Sequence, residues 1–257
     1  MFVRMRIPKK LTGYIAAVTT TVIAVLGVGF GCSGFGVGEA LQERKGTNKI
    51  MGENDWMAGG VFNPEKVIRD TFTDIRDNVV YTTVKIGDQT WMAENLNYNP
   101  PVKDNEDSVS WCYYNDSVEY CDVYGRLYTW EKAKSVCPDG WHLPTHEEWK
   151  TLVSAVGGVS DIDIAGMKLK SVDGWKSNNG TNNYSFTALP GGFSGIGIDG
   201  SREYTNISER GYWWTADNMQ YLYIYSEDNE VYVDTGEETE AYSVRCILDP
   251  PPINATE

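Results

Sequence analysis

The only two histidines, His142 and His146, stand four positions apart. On one unbroken helix that spacing would put both rings on one face, where they could share a divalent metal. Pro144 lies between them and interrupts any such face. His146-Glu147 also lacks the second histidine of a zincin helix. Both histidines therefore read as structural or surface groups, and no metal site is assigned. Gly195-Ile196-Gly197-Ile198-Asp199-Gly200 spells GxGxxG, but a dinucleotide loop needs a strand before it and a helix after it. Here Gly191-Gly192-Phe193 precedes, and Ser201-Arg202-Glu203-Tyr204 follows without helical apolar spacing, so the stretch reads as a flexible loop. Asp161, Asp163 and Gly166 look like part of a calcium loop, yet Val172 stands where its closing glutamate belongs. No Ser/His/Asp constellation is found. The chain thus offers no catalytic residue, implies no cofactor, and reads as non-enzymatic.

Aromatic residues are the better candidates for contact with a ligand. They make up 12% of the chain, with 9 Trp and 16 Tyr. Tyr221, Tyr223 and Tyr225 alternate with Leu222 and Ile224, and in a strand alternate residues share a face. If Leu222 and Ile224 face the core, the tyrosines line the opposite side. Trp213-Trp214 sends one indole to each face. We take Trp213, Trp214, Tyr221, Tyr223 and Tyr225 as candidate ligand-binding residues, because flat rings stack on sugar rings. The expected partner is a polysaccharide or a surface protein. The same pattern arises without any ligand, since tyrosine has high strand propensity.

The net charge of -14 repels phosphate backbones, which argues against nucleic acid as a partner. All four basic residues of the first 31 positions (Arg4, Arg6, Lys9, Lys10) precede an uncharged run, residues 11–31, that is mostly apolar or small. This is the order of an export signal. Gly31-Cys32 then resembles a lipoprotein cleavage site, with Cys32 as the lipidated residue. The run is also long enough to span a bilayer, so a retained transmembrane anchor is the alternative, with ordinary secretion a third. The expected location is the outer membrane or cell surface, with membrane contact through the lipid or anchor. If Cys32 carries lipid, Cys112, Cys121, Cys137 and Cys246 remain, an even set for an oxidising compartment. Three pairings are open.

The elements that must position these residues follow in order. Residues 1–31 are the signal or anchor, 32–69 a flexible tether, 70–249 one folded domain, and 250–257 a disordered tail opening on Pro250-Pro251-Pro252. Val80–Ile86 and Gln89–Ala93, joined by Gly87-Asp88, predict a hairpin. A helix is expected from about Trp130 to Cys137, stopped by Pro138-Asp139-Gly140. Thr145 and Glu148 form a capping box for a second helix running through Trp149, Leu152, Val153 and Val156 to Gly157-Gly158. Residues 160–210 read as loop. Strands are expected at 212–215, 221–225, 230–233 and 242–248. Two helices, antiparallel strands and long loops make an α+β class.

Five segments together resemble one family: VYTTVKIGDQTWMAENLNY (80–98), WCYYNDSVEYCDVYGRLYTWEKAKSVCPDGWHLPTHEEWKTL (111–152), YSFTALPGGF (184–193), GYWWTA (211–216) and SVRCIL (243–248). They are similar to the Fibrobacter succinogenes major paralogous domain, found on exported, often lipid-anchored bacterial proteins, whose molecular function is not established. Ala133, Cys137, Trp141-His142-Leu143 and Glu148 further resemble the middle of C-type-lectin-like domains. Leu143 to Trp149 resembles a stretch of the sulfatase-modifying, formylglycine-generating enzymes, which share that fold. The resemblance implies a C-type-lectin-like domain stapled by Cys137–Cys246 and Cys112–Cys121. It also implies two alternatives to a plain binding or display module. One is a calcium-dependent lectin, although the Glu-Pro-Asn, Gln-Pro-Asp and Trp-Asn-Asp motifs are absent and Asp217-Asn218 is a faint echo. The other is a divergent enzyme on the sulfatase-modifying scaffold, although Cys246 is the one cysteine after Cys137 and the staple uses it.

Overall fold

The computed structural model describes residues 67–102, 109–157 and 164–251. The leader, Cys32, the tether up to residue 66, Asp161, Asp163 and the tail from residue 252 lie outside the described residues. What is described is α+β, mostly strand.

The expected hairpin is present as β2 (Val79–Ile86) and β3 (Gln89–Met92), with Ile86 opposite Gln89 and Gly87 in the left-handed region at the turn. A strand that the sequence reading lacks, β1 (Ile68–Asp74), pairs along its whole length with β2. Ile68 and Arg69 therefore belong to the sheet and not to a tether. Its polar, largely exposed residues carry no apolar alternation, so only pairing with β2 identifies it.

Five helical segments occur among the described residues, not two: α1 (Tyr113–Asp116), α2 (Val118–Tyr124), α3 (Trp130–Val136), α4 (His146–Gly157) and α5 (Ala165–Leu169). Only α4 exceeds two turns. Its start is the capping box: Glu148 N–H donates to Thr145 Oγ1 at 3.2 Å, and Thr145 N–H donates to Glu148 Oε2 at 2.8 Å. Its buried stripe of Trp149, Leu152 and Val156 packs on Val84, Ile86, Trp91, Trp213, Leu222 and Ile224. Burying an aliphatic side chain such as Leu152 contributes about 1.5–3 kcal/mol.

The remaining strands are β4 (Ser110–Trp111), β5 (Leu127–Thr129), β6 (Trp141–His142), β7 (Gly191–Ile196), β8 (Arg202–Ile207), β9 (Arg210–Trp214), β10 (Gln220–Tyr225), β11 (Tyr232–Thr235), β12 (Ala241–Ser243) and β13 (Ile247–Leu248). One sheet runs β1-β2-β3-β13-β6. The other runs β11-β10-β9-β12-β5-β4, with the β7–β8 hairpin joined to it at β12. Two expectations are corrected here. The loop expected over 160–210 contains α5 and the β7–β8 hairpin, and the GxGxxG stretch is that hairpin's tip, with Ile196 opposite Arg202. Glycine disfavours strands, which hides β7 from a propensity reading. The strand expected over 242–248 is two strands in different sheets. Val244, Arg245 and Cys246 cross the interior between them, and the chain trades partners: Leu96 N–H donates to Val244 O at 2.9 Å and Met92 N–H to Cys246 O at 3.0 Å.

Two buried cations order the irregular parts. Arg245 is fully buried, and burial lowers its pKa to about 9. Its Nη2 donates to Asn95 Oδ1 at 2.6 Å and its Nη1 to the carbonyls of Phe186 and Met92. Lys170 is also fully buried, and burial lowers its pKa to about 8. Its Nζ donates to the carbonyls of Asn178, Tyr225 and Asp228 at 2.9, 3.0 and 2.6 Å. A buried cation of this kind is tolerated because main-chain oxygens replace its water. Two disulfides complete the frame. Cys137–Cys246 joins the end of α3 to the residue before β13, and Cys112–Cys121 ties β4 to α2.

Candidate functional site

The Tyr221/Tyr223/Tyr225 alternation does place the three rings on one side, but that side is not a bare exposed face: Tyr221 and Tyr223 pack against a second core cluster that includes Tyr212, Trp214 and Tyr242. Leu222 and Ile224 are each 3% exposed and point into the core, while the three tyrosines are half-buried on the other side. Register brings further residues to that side. Tyr223 sits opposite Tyr212 of β9 and Tyr232 of β11, Tyr225 opposite Arg210, and Tyr221 opposite Asp234. Tyr212, Tyr232 and Arg210 were not among the sequence candidates. Tyr232 alternates with Val231 and Val233, which is the signal that could have placed it, but which rings meet across strands depends on register.

The rings form a stack running across the strands. Tyr232 and Tyr223 are near parallel at 5.2 Å between centroids, Tyr223 and Tyr212 tilted at 5.9 Å, and Tyr212 and Tyr242 near parallel at 5.3 Å. Tyr225 stands edge-on to Tyr223 and Tyr232 at 5.3 and 5.4 Å, and the Arg210 guanidinium lies 4.2 Å over it. Such ring pairs contribute about 0.5–1.5 kcal/mol each beyond burial. Tyr223 thus has a neighbour on both sides, and the stack ends at Tyr232 on the outermost strand of its sheet. The hydroxyls are held too. Tyr212 accepts from Asn206 Nδ2 at 2.7 Å and from Arg210 Nη1 at 3.3 Å, and Tyr232 donates to Asp228 Oδ2 at 3.0 Å. Burial raises the pKa of Tyr221 to about 12, so its hydroxyl stays neutral near pH 7.

Trp213 and Trp214 do point to opposite faces, but both faces are covered. Trp213 is 1% exposed and donates to Asn95 Oδ1 at 2.8 Å; Trp214 is fully buried and donates to Tyr128 O at 2.7 Å. Neither indole reaches the surface, so they support the tyrosine face from within and do not line it. What remains is a set of hydroxyls, ring edges and one guanidinium, framed by Asp228 and Asp234. That set can hydrogen-bond and pack against a partner.

The two histidines do not meet in one site. His142 lies in β6, and His146 is the first residue of α4. His142 Nδ1 is 2.6 Å from Asp249 Oδ1 and its Nε2 is 2.9 Å from Glu148 Oε1. His146 N–H donates to Asp217 Oδ2 at 2.6 Å. Asp217 therefore serves the start of α4, where a carboxylate suits the positive end of the helix.

The family model of the Fibrobacter succinogenes major domain matches residues 84–248, more than half of the chain. No curated protein and no solved structure matches it.

Proposed function

The chain belongs to the Fibrobacter succinogenes major domain family, and from that premise we propose that it is a non-enzymatic, exported surface module that binds a polysaccharide through its tyrosine face. One observation carries this reading. Tyr221, Tyr223, Tyr225 and Tyr232 form a half-buried row on neighbouring strands, on the side of the sheet opposite Leu222 and Ile224. Tyr225 and Tyr232 continue this row of rings beyond the second core cluster that Tyr221 and Tyr223 pack against, and a partly exposed aromatic row supports a contact surface. Hydroxyls and ring edges in a row across three strands suit a flat, hydroxyl-rich polymer.

The Cys137–Cys246 bridge, from the end of α3 to the last strands, supports a C-type-lectin-like reading of the fold. Two disulfides support export to an oxidising compartment, with Cys32 as the lipid attachment point.

The test is retention of the protein in gels containing soluble polysaccharides, with and without a calcium chelator. Tyr223→Ala, Tyr225→Ala and Tyr232→Ala are each expected to reduce retention several-fold while the fold persists. Retention that all three variants share with the parent rejects the tyrosine face. Retention abolished by the chelator replaces this reading with a calcium-dependent lectin.

A further inference from the structure

A separate depression in the surface shares no residue with the tyrosine face. It is a cleft of about 380 Å³ lined by Asn97, Tyr98, Asn99, Arg76, Asp122 and Arg126, among others. That volume falls within the range of small-molecule sites.

One wall of the cleft is costly to build. Asn95–Asn99 belongs to no strand or helix. Such a segment must find partners for its peptide groups outside any ladder, and fixing it costs backbone entropy. Distant residues supply those partners. Asn97 N–H donates to the Tyr81 hydroxyl at 3.0 Å, and the Tyr128 hydroxyl donates to Tyr98 O at 2.6 Å. Arg126 N–H donates to Leu96 O at 3.0 Å. Asn95 is buried, takes hydrogen bonds from Arg245 and Trp213, and donates to Tyr124 O at 2.8 Å. Gly125 allows the close approach: at φ +73°, a Cβ there would lie 2.9 Å from Leu96 O. Two tyrosine hydroxyls, a buried asparagine and a buried arginine thus hold in place a segment that lends Asn97, Tyr98 and Asn99 to the cleft.

The other groups set the chemistry. Arg76 lies 3.9 Å over the Tyr98 ring and is neutralised by Asp74, whose carboxylate its Nη2 meets at 2.6 Å. Arg126 faces Asp116 at 3.6 Å. Asp77 and Asp122 line the same cleft. Both guanidiniums are thus already paired, which leaves Asp77 and Asp122 uncompensated: the cleft repels an anion and keeps carboxylate acceptors for hydroxyls. Planar amides and carboxylates offer paired acceptors or donors, which match neighbouring hydroxyls that donate and accept together.

We propose that this cleft is a second saccharide site, taking one neutral sugar unit or the end of a neutral chain. It stands independently of the tyrosine face. The full-length chain is titrated with the methyl glycosides of glucose, galactose, mannose and xylose, and with glucuronic acid, by ligand-observed NMR. At least one neutral glycoside is expected to bind, and Asp122→Ala or Asn97→Ala to weaken it by about tenfold, the loss expected for one hydrogen bond to a charged or well-placed group. Tyr223→Ala is expected to leave this binding unchanged. Asp122 is exposed on α2, so its replacement spares the packing, and thermal unfolding checks this. The proposal fails if none of the four glycosides binds, if glucuronic acid binds more tightly than all of them, or if binding is lost in Tyr223→Ala but retained in both cleft variants. Polysaccharide retention in the face experiment is scored separately, so either site can fail alone.

Discussion

His142 closes on Asp249 at 2.6 Å, fastening β6 to the residue that follows β13. Its other ring nitrogen meets Glu148 of α4 at 2.9 Å. A neutral imidazole has one N–H and can donate to one carboxylate only; the imidazolium donates to both. Burial works against the charged ring, but the bonds to Asp249 and Glu148 outweigh it, so the pKa is raised. A raised folded-state pKa gives stability that is full below the unfolded value, about 6.5, and is lost as pH rises through the folded value. His142→Gln is expected to destabilise the protein more at about pH 5.5 than at about pH 8.5. Urea unfolding of both proteins at the two pH values measures this. An equal loss at both would mean that the clasp does not depend on the proton.

Asn95 is the hub of the buried polar network, and its partner Arg245 lies 150 positions later in the chain. Asn95→Ala would leave the guanidinium facing a void and the Trp213 N–H without its acceptor. A loss of about 3 kcal/mol or more is expected, since a buried charge deprived of a partner costs that much. Chemical denaturation gives the value. A loss under about 1 kcal/mol would show that Met92, Phe186 and Thr187 carbonyls suffice for Arg245.

The two disulfides differ in the span they close, 109 positions for Cys137–Cys246 and 9 for Cys112–Cys121. The chain-entropy argument assigns about 4–5 kcal/mol to the long loop and about 3 kcal/mol to the short one. The double variant Cys137→Ala, Cys246→Ala is therefore expected to lower the denaturation midpoint more than Cys112→Ala, Cys121→Ala. The reverse order would place the larger contribution in contacts local to α2.

Cys32→Ser is expected to abolish metabolic labelling with a fatty-acid probe in the producing bacterium. Labelling that persists in the variant, or is absent from the parent, rejects lipidation at this residue and leaves the anchor or secreted alternatives.

Some of the architecture is written in short stretches of sequence. Thr145 and Glu148 specify the start of α4 because both partners of the capping box lie within one turn. Gly87-Asp88 specifies the β2–β3 turn because only the local backbone decides it. Leu222 and Ile224 on one side, with the tyrosines on the other, follows from strand periodicity alone; the second core cluster that covers part of the tyrosine side does not. Other features depend on residues far apart. Tyr232 and Tyr212 flank Tyr223 only through strand register. The break between β12 and β13 exists because Val244 and Cys246 take partners from Leu96 and Met92. The cleft wall at Asn95–Asn99 is fixed by hydroxyls and a guanidinium from elsewhere in the chain. Local steric and capping preferences act within a few residues and can be read in order. Hydrogen bonds and ring contacts between distant residues are chosen by the packing of the whole, and only the tertiary structure decides them.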